Sequence, residues 1–276
     1  MICYICHKLL IGRYFIDVWG NKMCESHLNK NVVHCVSCSA FTQREYTLED
    51  GRVLCKTCYG AAIKPGDSIE NVKNFVINCL FNIGFSDLRL EDITYEIVTA
   101  QKMAEIRKKP VNTQIKGFTY SNITITTFGK STSKKFVHNI YILTHLANVD
   151  FAGTLAHEML HAWLTQNEIK MSQKLEEGFC NMGNYLMYSS MSGELAKMLL
   201  KSLRENPDPI YGDGFREMFE HFKRLGWKEL IKNVKEKPET FLNPCVSGNI
   251  KNKSPSIIAK PISGYDAELA KILSKF

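Results

Sequence analysis

At 276 residues, 45% hydrophobic and 23% charged, the chain is long enough for one substantial core with a small satellite beside it. Its net charge of +7 comes from scattered lysines rather than a basic run interleaved with aromatics, so no nucleic-acid partner is expected. The most apolar stretches, Phe75 to Phe85 and Phe136 to Leu155, are broken by Asn, His or Asp short of a bilayer span, and no signal peptide is visible, so the expectation is no membrane partner and a cytoplasmic location.

Seven of the ten cysteines lie in the first 58 residues, as Cys3-x-x-Cys6, Cys24-x-x-His27, Cys35-x-x-Cys38 and Cys55-x-x-Cys58. A two-residue gap lets two side chains from one tight turn grip a tetrahedral ion, and two such pairs close a structural zinc site. Taken in sequence, Cys3, Cys6, Cys24 and His27 hold one zinc, and Cys35, Cys38, Cys55 and Cys58 hold a second, with 17 and 16 residues between the pairs. That spacing is LIM-like. The seven-residue link from Leu28 to His34 is longer than in a standard LIM domain, and it also disfavours a cross-braced arrangement. Paired spacing argues against a disulfide framework, and thiolate ligands imply a reducing compartment. Residues 1–62 are therefore read as a LIM-like zinc-binding domain whose folding depends on metal.

Gly60 to Asp67 reads as the end of a short helix and a linker, and residues 68–236 as a second domain. Ile69, Val72, Val76 and Leu80 predict a helix over Ser68 to Phe81; Ile93 to Val98 reads as a strand and Thr99 to Lys108 as a helix. Strands are expected at Ile115 to Tyr120, Asn122 to Thr127 and Phe136 to Leu143, the last offering an open edge to an extended substrate.

The stretch Gly153 to Trp163 contains His157-Glu158-x-x-His161. At about 3.6 residues per turn, histidines four apart sit one above the other, so both imidazoles can face one metal with Glu158 beside it. Leu155, Ala156, Met159, Leu160, Ala162, Trp163 and Leu164 make this helix apolar nearly all round, hence buried. A second helix follows from Ser172, carrying Glu176 and Glu177. Glu177 is favoured as third ligand because Glu-Gly-Phe resembles the ligand segment of gluzincin aminopeptidases; Glu176 is the alternative. Asn181, four residues on, is then placed to hydrogen-bond a ligand histidine.

A third helix is expected over Gly193 to Glu205, and the glycines of Tyr211-Gly-Asp-Gly-Phe-Arg216 predict a turn before another helix reaching about Leu225. Residues 237–276 read as a C-terminal tail with a short amphipathic helix from Asp266 to Phe276. Cys79, Cys180 and Cys245 read as buried or incidental thiols.

Four features resemble one family: the LIM-like module with Cys24-x-x-His27; the segment around His157, Glu158 and His161; the Glu176-Glu177-Gly turn; and Pro-Ile-Tyr211-Gly-Asp213-Gly-Phe-Arg216. The chain is similar to the plant "DA" family of ubiquitin-activated LIM-domain zinc metallopeptidases, as a minimal or bacterial-type member. The resemblance covers about residues 1 to 225. It implies an endopeptidase acting on protein substrates, with the LIM-like module regulating it or recognising its substrate. Plant members also carry ubiquitin-interacting motifs and a full LIM domain; no acidic ubiquitin-binding helix is visible here, so a partnership with ubiquitin or a ubiquitylated protein follows from the resemblance alone.

The expected fold is α+β, a small LIM-like double zinc module followed by a mainly helical zincin-like (gluzincin) domain. The expected cofactor is zinc, three per chain. In this reading His157, His161 and Glu177 hold the catalytic metal and Glu158 is the general base toward a zinc-activated water. Tyr211 is a candidate oxyanion donor, with a packing role as the favoured alternative. The rival reading is a LIM-type interaction scaffold whose zincin domain is catalytically silent. Retention of a general base speaks against it.

Overall fold

A computed structural model describes residues 1–28 and 31–238. The tail from 239 onward, with its expected helix over 266–276, lies outside the described residues, as does Cys245. The chain opens with short antiparallel ribbons: β1 (Tyr14–Ile16) with β2 (Lys22–Cys24), β3 (Val33–His34) with β4 (Phe41–Thr42), and β5 (Tyr46–Thr47) with β6 (Val53–Leu54). A one-and-a-half-turn helix α1 (Lys56–Gly60) closes the segment. The long link between the two cysteine modules does not leave them loose. Asp17 is buried, and its carboxylate accepts from the backbone N–H groups of Trp19, Asn21 and Phe41, the last belonging to the second module. The Trp19 indole donates to the Cys38 carbonyl across the same junction.

The expected linker contains a strand. β7 (Ala62–Ile63) pairs with β11 (Leu146–Ala147), and Ile63 is buried in the main core. Two apolar residues after Gly60 are enough to pair with a partner when that partner is itself buried, which a composition rich in Gly, Pro and Lys conceals. Arg52 adds a second attachment: buried, paired with Asp50 at 2.8 Å, it donates to the carbonyl of Thr144 at 2.9 Å.

The remainder is α2 (Glu70–Ile83), β8 (Ile93–Val98), α3 (Ala100–Arg107), β9 (Gly117–Phe128), β10 (Ser131–Leu143) and then β11. The helices α4 (Asn148–Gln166), α5 (Gln173–Ser190), α6 (Glu194–Glu205) and α7 (Tyr211–Glu236) complete it. The main sheet has the order β8-β10-β9, with β8 parallel and β9 antiparallel to β10. The two strands expected between Ile115 and Thr127 are one strand. β10, expected to offer its edge, is instead central, flanked on both sides. The edges are β8 and β9, and the outer half of β9 is exposed up to Phe128 at 89%.

The expected turn at Tyr211 is also corrected. Gly212 and Gly214 lie inside α7, because a side-chain carbon on Gly214 would overlap the carbonyl of Lys174 and one on Gly178 would overlap Gly214. These glycines serve close helix packing rather than a turn. The helix breaks later, at Gly226, where φ is 72°.

α4 is buried on nearly every side, as its sequence demands. Trp163 anchors it: the ring meets Phe85 edge-on at 4.9 Å between centroids, and its indole donates to Asp87 at 3.0 Å. Among the described residues no helix is long and apolar enough to cross a membrane.

Because Ile63 fills a shared core, Ile63→Ala should destabilise the whole chain by about 2–5 kcal/mol. Denaturant unfolding followed by tryptophan fluorescence checks this. A loss confined to the cysteine-rich segment, or below about 1 kcal/mol, would mean that β7 is only a tether.

Candidate metal centre

Three clusters of donor side chains form among the described residues. Each has its candidate atoms within 4.8 Å of one another: Cys3, Cys6, Cys24 and His27; Cys35, Cys38, Cys55 and Cys58; and His157, His161 and Glu177. These are the three sets expected from the sequence, with Glu177 rather than its alternative Glu176 facing the histidines, and the Cys/His clusters could bind metal ions.

In the cysteine modules, Cys6 and Cys24 sulfurs lie 3.9 Å apart and Cys38 and Cys55 sulfurs 3.8 Å apart. Sulfurs at two corners of a tetrahedral zinc site are separated by about 3.8 Å, whereas a disulfide would bring them to about 2.05 Å. Backbone N–H groups point at the sulfurs, Cys24 at Cys3 and Cys58 at Cys55. Burial resists ionisation of Cys3, but the backbone N–H groups of Cys24, Cys6 and Ile5 prevail and lower its pKa to about 6. In the second module the crowded thiols drive one another apart: Cys38 is pushed up to about 12 by its neighbour Cys35, which is itself held far below the usual thiol range by Cys38 and Cys58. His27 Nε2 is buried with no hydrogen-bond partner. Packed sulfurs, inward N–H groups and an orphaned imidazole nitrogen all suit a cation.

The third cluster is built by α4 and α5 lying against each other. His157 and His161 come from successive turns of α4, and their Nε2 atoms face each other at 3.2 Å. Glu177 reaches across from α5, with Oε2 at 3.3 Å from His157 Nε2 and 3.6 Å from His161 Nε2. Nitrogens bound to one tetrahedral zinc would be separated by about 3.3 Å. Glu177 Oε2 is buried and lacks a hydrogen-bond partner, which again suits an ion between the three groups. Burial works against the Glu177 carboxylate, yet His157 and His161 outweigh it and lower its pKa to about 2. Burial likewise disfavours charge on His161, but Cys180, Glu176 and Glu177 raise its pKa well above the ordinary imidazole value. The cluster is organised around positive charge.

Both histidines are held from behind. His161 Nδ1 lies 3.1 Å from Glu176 Oε1, so the neighbour of Glu177 orients a ring rather than facing the other donors. His157 Nδ1 lies 3.1 Å from Asn184 Oδ1. Asn181, expected in that role, instead donates from Nδ2 to the carbonyl of Tyr211 at 3.0 Å. The reason is helical phase: four residues past Glu177 rotates beyond the facing stripe toward α7, while seven residues, close to two full turns, returns to it. Asn184 was therefore legible as Glu177 plus seven. Cys180 was also missed as a neighbour; it is fully buried against His161, with burial pushing its thiol up to about 11.

Glu158 stands beside the cluster on α4. Thr119, on the edge strand β9, donates its hydroxyl to Glu158 Oε2 at 2.7 Å. Gly117 leaves the room, since a side-chain carbon there would strike Glu158 Oε1. Tyr211 begins α7 with its side chain 38% exposed. Burial and then the Glu177 charge raise its phenol pKa, so it remains a hydrogen-bond donor at neutral pH.

Fold and clusters together define an α+β protein with clusters that could hold metal ions, two cysteine-rich modules leading into a helical region with a His-Glu-x-x-His helix. Residues 96–188, from β8 to the end of α5, match the family model described as DA1-like: Protein DA1. Protein DA1-related 6 of Arabidopsis thaliana is 23% identical over 302 residues, 84% of this chain and 46% of its own length. Protein DA1 of Arabidopsis thaliana is 23% identical over 287 residues, 83% of this chain and 53% of its own. LIM domain-containing protein HDR3 of Oryza sativa subsp. japonica is 21% identical over 281 residues, 79% of this chain and 56% of its own. The chain is thus similar to proteins of the DA family, and it spans about half the length of the curated relatives it matches. No solved structure matches it.

The geometry separates the roles of the adjacent carboxylates. Glu177→Ala should remove one bound zinc per chain, while Glu176→Ala should keep it and weaken its retention about 10- to 100-fold. Elemental analysis across a chelator series reads both. Zinc lost from the Glu176 variant and kept by the Glu177 variant would exchange the assignments.

Proposed function

We propose that this chain is a zinc-dependent endopeptidase acting on protein substrates, in a zincin-like helical domain, with the LIM-like module as its regulatory or recognition part. The observation that carries the reading is the placement of Glu158, a carboxylate with no ion pair among the described residues, beside the His157, His161 and Glu177 donor set and pinned by Thr119. A scaffold that only needed metal for folding would have no use for it.

Zinc at such a site lowers the pKa of a bound water toward about 7 and polarises the scissile carbonyl. The protein groups supply the remainder. His157 and His161 present Nε2 because Asn184 and Glu176 occupy their Nδ1 atoms. The Thr119 hydroxyl fixes Glu158 Oε2, which orients the carboxylate to take a water proton and return it to the leaving amine. Tyr211 donates to the developing oxyanion. An extended substrate pairs with the free edge of β9, the strand that already touches Glu158 through Thr119.

The first cysteine module supports the regulatory half of the proposal. Ile2, Leu9, Ile11 and Val18 are all more than 60% exposed, an apolar surface suited to a protein partner. Ubiquitin or a ubiquitylated protein as that partner rests on the family alone.

Replacing Glu158 by Gln keeps size and metal donors while removing the proton acceptor. Zinc should stay at three per chain while hydrolysis of a protein substrate falls about 10²- to 10⁴-fold. Cleavage at the parent rate would end the hydrolase mechanism and leave the scaffold reading. Tyr211→Phe should lower kcat about 10²-fold or more; a loss under about tenfold returns Tyr211 to a packing role.

A further inference from the structure

Behind His157 runs a chain of polar contacts that the proposed reaction does not by itself require. Asn184 Oδ1 faces His157 Nδ1 at 3.1 Å, Asn184 Nδ2 donates to the Tyr188 hydroxyl at 3.1 Å, and that hydroxyl donates to Asp150 Oδ1 at 3.2 Å. Lys116 closes the chain, its ammonium 2.8 Å from Asp150 Oδ2 and 3.0 Å from Oδ1. Asp150, in the first turn of α4, and Tyr188, near the end of α5, are both buried. The path is built into the packing: a side-chain carbon on Gly153 would run into the Tyr188 ring, so only glycine lets the tyrosine lie across α4 to reach Asp150.

The relay has a direction, and chemistry fixes it. An ionised carboxylate only accepts, so the single hydroxyl hydrogen of Tyr188 is committed to Asp150. The Tyr188 oxygen must then accept, which turns the NH₂ of Asn184 toward it and the amide oxygen toward His157. That oxygen can only accept, so the His157 proton sits on Nδ1 and the Nε2 lone pair is bare. With the amide reversed, the hydroxyl would need two hydrogens to serve both Asp150 and Asn184.

We propose that Asp150 is a positioning residue for the metal centre, acting through Tyr188 and Asn184 to hold His157 in the tautomer that presents Nε2 to zinc. Lys116 pairs with the buried carboxylate and joins the relay to the residue just before β9. This inference rests on the proposed zinc site and concerns how that site is kept ready.

The test uses the full chain and Zn²⁺ itself, read by elemental analysis along a competing-chelator titration. Tyr188→Phe preserves the ring and deletes both hydroxyl contacts, and should release the third zinc at about tenfold lower chelator concentration, with the two cysteine-bound zincs unchanged. Asn184→Asp offers His157 an acceptor oxygen on either face, so in that background Tyr188→Phe should cost nothing further. A purely structural role for Tyr188 predicts the same loss in both backgrounds, and that result overturns the relay. Unchanged chelator resistance in Tyr188→Phe also overturns it. If Tyr188→Phe does not fold, Asp150→Ala paired with the Asn184→Asp background gives the same comparison. A parent chain holding only two zinc ions overturns both the relay and the zinc-peptidase reading, whereas a parent holding three with an unaffected Tyr188→Phe overturns the relay alone.

Discussion

The contact between α4 and α5 is the constraint on which the rest depends. α4 carries His157, Glu158 and His161, and α5 carries Glu177, Glu176 and Asn184; no single helix can present three donors to one point and also support them from behind. Large buried side chains fix that contact, with Trp163, Phe85 and Phe179 wedged between the helices and their surroundings. A shift of one helix past the other by a fraction of a turn would separate Glu177 from the histidines and Asn184 from His157 together. Packing at interior density resists such slips, so apolar residues that never touch the donors set the donor distances.

The cysteine-rich modules are attached to the same element rather than suspended from it. β7 pairs with β11, and the residue after β11 starts α4. Arg52 binds the Thr144 carbonyl, Tyr59 stacks on His145 at 5.6 Å between centroids, and His145 itself sits at a φ of 61°. A non-glycine residue in that conformation persists only where its surroundings hold it. The surroundings here come from the second module, so its order and the geometry at the start of α4 are linked through packing.

Much of this was readable from residue spacing, and all but one of the misses share a cause. The eight donors of the modules and the two histidines of α4 follow from local gaps, of two residues in the modules and four on α4, that need no knowledge of the fold, whereas Glu177 came from a resemblance with Glu176 left as the alternative. Errors arose wherever a residue's role depends on a partner distant in sequence. Ala62 and Ile63 look like linker because their partner strand lies more than eighty residues away. The edge of the sheet was assigned to the strand nearest the helix in sequence, but strand order is a property of the whole sheet and β9 folds back to cover that side. The glycines at 212 and 214 signal a turn in isolation and close helix contact once α5 is present. Asn181 was a different kind of miss, since counting seven residues instead of four needed only helical phase.

Metal has different work to do in the two parts of the chain. In the second module the small core is made largely of Cys35, Cys38 and Cys58 with Leu54 and Ala40, so the donors are themselves the interior and little else opposes their separation. The His157, His161 and Glu177 cluster instead lies on helices whose burial is already complete without it. Metal bound in the modules would therefore supply a folding term, whereas at the helix site the scaffold packs by itself around an unsatisfied carboxylate. Since the modules brace the start of α4 through Arg52 and β7, metal bound in them would bear on α4 from a distance, by way of structure rather than shared ligands.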